Sequence, residues 1–189
     1  DKALSQVKAD FAKKYGENFK AVLKDLADFG TFGHIKTAQL ACDGYIHTGH
    51  QFEQDLMFFM QDNGMNMSKR QEYYKLQCAY MFSMSCFFYE TNFKLFAVEY
   101  PLVDYAKDIA TAADFIGEMD DPKQSNRRIN ATVNLKFRMN PAIYDKDIIQ
   151  TNIEMMMMNK LLEKGLIKLP STSNIIHKTF VLCPKVVTG

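Results

Sequence analysis

The spacing of apolar residues changes from helical to strand-like near residue 129, and no other feature constrains the fold as tightly. Ahead of that point they recur at steps of mostly three or four: Leu4, Val7, Phe11, Tyr15, Phe19, Val22, Leu23, Leu26 and Phe29. This is the mark of a helix with one buried stripe. Beyond it, Ile129, Ala131, Val133, Leu135 and Phe137 alternate with Asn130, Thr132, Asn134, Lys136 and Arg138. Sustained period two predicts a strand with one apolar face and one wet face. A chain of both kinds must pack helices against strands, an α+β arrangement.

Local signals divide the helical part. Gly16 predicts a bend, and Gly30 and Gly33 close the first segment. A second helix is expected over 35–46, and a third, carrying Phe52, Leu56, Phe59 and Met60, ends near Gly64. Ser68 and Gln71 fit a capping box for an aromatic-rich helix that runs to Tyr100 and stops at Pro101. Pro101 suits the first turn of another helix over 103–116. Residues 118–128, with Asp120, Asp121 and Pro122, read as a linker. After the strand at 129–138 come a helix over 145–164 with Gly165 at its C-cap, and strands at 166–169 and 175–183. The expected fold is α+β and predominantly α. An acidic N-terminal bundle of about five helices (1–117) precedes a small basic strand-helix-strand-strand unit (129–189), packed on it as one compact domain.

Charge is divided along the same boundary. Residues 1–121 hold 12 Lys plus Arg and 18 Asp plus Glu, net −6, while residues 122–189 hold 11 and 4, net +7. The formal total of +1 conceals this split. The two parts could neutralise one another across an internal seam. The basic part could bind phosphates through Arg127, Arg128, Lys136, Arg138, Lys160 and Lys164, because a helix followed by a hairpin has the outline of a winged-helix module. Or the acidic face of one copy could meet the basic face of another. The helix over 145–164 carries Met155, Met156, Met157 and Met158. Four consecutive side chains on a helix cannot all point inward, so one or two should be exposed, and these residues are the expected interface.

Few residues suggest bond-making chemistry. His47, His50 and Glu53 lie close in sequence but lack the His-Glu-x-x-His order of a zinc protease. They read as histidines facing water at a helix junction. His34 and His177 stand alone. There is no phosphate-binding glycine loop, dinucleotide fingerprint or nucleophile elbow. No catalytic, cofactor-binding or metal-ligating residue is therefore expected, and the chain reads as a non-enzyme. Cys42, Cys78, Cys86 and Cys183 contain no Cys-x-x-Cys pair. Cys78 and Cys86 on one helix would stand about 12 Å apart, too far for a disulfide, so buried free thiols are favoured.

Twelve Met and fifteen Phe suit a well-filled core or an adaptable apolar surface. Sequons at Asn66 and Asn130 lend weak support to secretion. No apolar run approaches the roughly 20 residues of a membrane span. The expectation is a soluble protein, cytoplasmic rather than secreted. It would be a non-enzymatic protein-binding or self-assembly protein, acting through an acidic helical surface and a basic, Met-rich C-terminal surface. Nucleic-acid binding by the C-terminal third, or secreted carriage of an apolar ligand by the helices, are the alternatives.

Overall fold

A computed structural model describes residues 9–10, 12–46, 49–138, 142–171 and 173–184. Residues 1–8 and Phe11 of the first expected helix, and His47, lie outside them. The bend at Gly16 is present: its φ of +59° suits glycine and opens a 3-10 turn (Gly16–Asn18) before helix α1 (Phe19–Asp43). α1 runs straight through Gly30 and Gly33, which were expected to end it. A Cβ at Gly33 would stand 2.7 Å from the ring of Phe137. The bare backbone here admits a neighbour rather than breaking the helix, and the expected second helix is the far half of α1. Gly44, at φ +75°, ends it.

Helices α2 (His50–Asp62) and α3 (Arg70–Glu90) complete the bundle. Phe29, Phe32, Phe52, Leu56, Met60, Tyr80, Met81 and Met84 fill its core. The Ser68–Gln71 capping box does not form. The Asn66 side chain accepts from the Ser68 amide to start a short 3-10 turn, while Gln71 donates to Glu53 at 2.9 Å.

The largest correction concerns residues 94–100 and 103–116, expected as helix, and the start of the expected linker to 121. They form strands β1 (Lys94–Asp104) and β2 (Ile109–Asp121), an antiparallel hairpin. β2 is buried along most of its length, and the exposed positions Pro101 and Val103 of β1 are themselves apolar, so neither strand alternates apolar with polar residues, and apolar steps of three and four arise by accident. Pro101 is tolerated because β1 is an edge strand. The proposed linker 118–128 is likewise the end of β2, a tight turn and the start of β3 (Gln124–Leu135). Asp121 accepts the Lys123 amide at 3.0 Å to close that turn. Four helices longer than a single turn are therefore present among the described residues, one of them beyond the sheet's first three strands, rather than five ahead of a linker.

From β3 the chain crosses through helix α4 (Asp145–Glu163) to strand β4 (Lys178–Leu182), which pairs parallel to β3. The sheet order is β1-β2-β3-β4. Residues 166–169 are not a strand, so no hairpin follows α4 and the winged-helix outline is absent. Phe115, Val133 and Leu135, with Phe137 just beyond β3, pack on the α1–α3 layer. Leu102, Ala113 and Ile116 meet Met157, Met158 and Leu162 of α4 on the other face. The side of β3 expected to be wet is instead dry. Asn130, Thr132 and Asn134 are buried, and Asn130 Nδ2 donates to the carbonyls of Ser173 and Ile175. That sequon is closed to a glycan in the folded chain.

The acidic and basic parts share one sheet, and ion pairs join them. Arg128 meets Asp120 at 2.8 Å and Glu118 at 3.3 Å, Lys160 meets Asp104 at 2.9 Å, and Lys178 meets Asp121. Part of the charge split is thus neutralised internally. No described helix is long and apolar enough to cross a membrane.

Candidate functional site

α4 has one committed face and one free face. Asp147, Thr151, Glu154, Met157, Met158 and Leu162 point inward at helical spacing. Glu154 is fully buried, and its carboxylate accepts from Thr111 Oγ1 (2.9 Å), Gln150 Nε2 (2.8 Å) and Asn134 Nδ2 (3.0 Å). Outward lie Ile148, Ile149 and Met156, exposed at 49%, 59% and 61%. The tetra-methionine run divides as helix geometry requires: Met157 and Met158 are in the core, Met155 packs at its edge, and Met156 faces out. Beside Met156, a groove of about 240 Å³ is floored by Ile109, Ile153 and Met157 and edged by Asp104 and Lys160.

The six basic residues do not form one phosphate-binding patch. Arg138 donates both guanidinium nitrogens to Asp147 at 2.7 Å and a further bond to the Ala142 carbonyl. Arg138 holds the Asp147 carboxyl down at about 2, below its ordinary range. Arg128 and Lys160 are spent on the pairs above, and Lys136 reaches Gln150 at 3.3 Å. Arg127 and Lys164 are exposed.

A second place, invisible in the sequence reading, lies where α1 crosses the sheet. The pairings Val98↔Phe115 and Tyr100↔Ala113 set Glu99 opposite Asp114 on adjacent strands. Like charges in that position repel. Glu99 sits at φ +49°, a left-handed conformation that is strained for a non-glycine residue within a strand. β2 parts from β3 at Asp114, and the Asp114 carboxylate takes the Leu135 amide in place of a ladder carbonyl, at 2.5 Å.

His34 completes the group from α1. Its Nδ1 stands 3.6 Å from Asp114 Oδ1 and 3.8 Å from Glu99 Oε1, both beyond hydrogen-bond reach. Phe137 meets the imidazole edge-on at 5.4 Å. Burial raises the Asp114 carboxyl to about 6 and lowers His34. Glu99 is raised by burial and by the Asp114 charge. The group opens into a concavity of about 570 Å³ bordered by Thr31, Ile35 and Ala38.

Of the cluster considered from sequence, His47 lies outside the described residues. His50 is exposed, and Glu53 is engaged by Gln71 and lies 3.6 Å from Arg70. His34, which carried no inference alone, gains partners only through the β1–β2 hairpin that the helical reading concealed. Set beside known proteins, the chain matches no family model, no curated protein and no solved structure.

Proposed function

We propose that the chain is a non-enzymatic binding protein that assembles with copies of itself through the outer face of α4. The observation that carries this reading is the exposed row Ile148, Ile149 and Met156 on a helix whose opposite face is already committed to the sheet. Isolated exposed apolar residues are ordinary, but a row beside an apolar-floored groove is the pattern of an interface.

Two copies crossing antiparallel near Asn152 bring Ile149 of each against the groove beside Met156 of the other. The same pairing sets Asp145 of one copy against the Lys160–Asp104 rim of the second. Antiparallel crossing also places opposite helix dipole ends side by side, and the contact is self-complementary about a two-fold axis.

Sedimentation of the wild type between 1 and 100 μM should show a concentration-dependent dimer. Ile149→Glu with Met156→Glu should give a monomer whose circular dichroism is unchanged. A wild type that stays monomeric at every concentration and salt level ends the proposal.

A further inference from the structure

His34, Glu99 and Asp114 come from three elements, and their ligating atoms lie within 4.8 Å of one another. Four features of this group favour an ion between them. The two histidine–carboxylate gaps, 3.6 and 3.8 Å, are too long for hydrogen bonds but near the ligand–ligand spacing on a metal ion. Ligands on a tetrahedral ion with bonds of about 2.1 Å stand about 3.4 Å apart. Asp114 is only 8% exposed, and its Oδ1 accepts no hydrogen bond from the described residues while Oδ2 is fixed by the Leu135 amide. A buried carboxylate facing a second carboxylate takes up either a cation or a proton. Lys136 is near enough for its charge to act on Asp114, while its ammonium bonds Gln150 at 3.3 Å. The strained backbone of Glu99 aims a third ligand at the same point, and such outliers gather at ligand sites.

We propose that His34 Nδ1, Glu99 and Asp114 bind one divalent first-row transition metal ion, with the concavity between α1 and β1 supplying the remaining positions to water. One imidazole with two carboxylates suits Zn²⁺ or Mn²⁺, whereas Ca²⁺ takes six to eight oxygen ligands and has too few here. The imidazole ligates in its neutral form, through the Nδ1 that faces both carboxylates. Glu99 is the adjustable member, with its side chain half exposed, so closing its gap needs a rotamer change and not a shift of the sheet. Phe137 limits the rotation of the imidazole.

Titration of the full chain with Zn²⁺, after chelation and dialysis, should show one site per chain with a dissociation constant of about 10 μM or lower. Co²⁺ at that site should give visible absorption, displaced by Zn²⁺. Glu99→Gln, at a half-exposed side chain that the fold does not need, should weaken Zn²⁺ binding at least tenfold, and His34→Ala more. His50→Ala, on the exposed start of α2, should leave it unchanged. Asp114→Asn tests the third ligand if it folds; Glu99→Gln decides the matter if it does not. Absence of stoichiometric Zn²⁺ binding at 100 μM overturns the proposal. So does Zn²⁺ binding that Glu99→Gln and His34→Ala leave intact.

Discussion

Asp147→Asn isolates one interaction of known geometry. In the wild type, Asp147 accepts two guanidinium bonds from Arg138 and the Tyr144 amide at 2.9 Å, tying the end of β3 to the first turn of α4. The carboxyl is held at about 2, against an ordinary value of 3.8. Each pKa unit is worth about 1.36 kcal/mol, so nearly two units set a ceiling of about 2.5 kcal/mol. Arg138 is about a quarter exposed, and screening there reduces the figure to about 1.5–2 kcal/mol. For a chain of this size, that is a drop of about 3–8 °C in Tm.

The carboxyl is depressed in the folded state. Its contribution is therefore full above the unfolded value near 4 and is lost as pH falls through about 2. Urea unfolding followed by circular dichroism at pH 7, 4 and 2.5 should show a gap between wild type and Asp147→Asn that narrows with acid. A gap of equal size at pH 7 and pH 2.5 would mean that the loss comes from packing and not from charge. A gap under about 0.5 kcal/mol at pH 7 would refute the reasoning outright.

Two further outcomes follow from close approach and exposure. A methyl group at Gly117 would meet the Phe93 ring and stand 2.6 Å from the Lys94 carbonyl on the neighbouring strand, so Gly117→Ala should destabilise by about 2–4 kcal/mol in chemical unfolding. Adding Phe93→Ala should not restore the loss, because the carbonyl remains. All four cysteines are free and Cys42 is exposed while the other three are partly buried, and burial raises the Cys78 and Cys183 thiols. Ellman's reagent should therefore label Cys42 first and find four thiols in unreduced, denatured protein. A count of two or of none would show one or two disulfides instead.

The sequence was most readable where one pattern had one cause. Gly16 and Gly165 marked or neighboured a real bend and a real helix end, α2 fell where Phe52, Leu56 and Met60 placed it, and the alternation from Ile129 to Leu135 lay in a strand. β2 was hidden because it is largely buried on both faces, and β1 because its exposed Pro101 and Val103 are themselves apolar, so neither shows the alternation that separates strand from helix. Gly30 and Gly33 misled for a different reason: they serve Phe137, a residue far along the chain, and local rules have no access to such a partner. The same distance concealed the His34 group. Its members sit on a helix and two strands, and only the pairing of β1 with β2 brings Glu99 to Asp114. That at least one of the four methionines would be exposed, by contrast, followed from 3.6 residues per turn alone.

The parallel docking of β4 has a consequence for how the molecule forms. β1, β2 and β3 can zip together from their two tight turns, whereas Ala131 finds Lys178 only after the intervening segment has wrapped across the sheet. Long loop closure is slow, and contacts of high sequence separation form late. The C-terminal strap should accordingly be the last piece to lock in the nascent protein and the first to exchange its amide protons with solvent. Until it settles, β3 presents a bare hydrogen-bonding margin to any neighbouring chain.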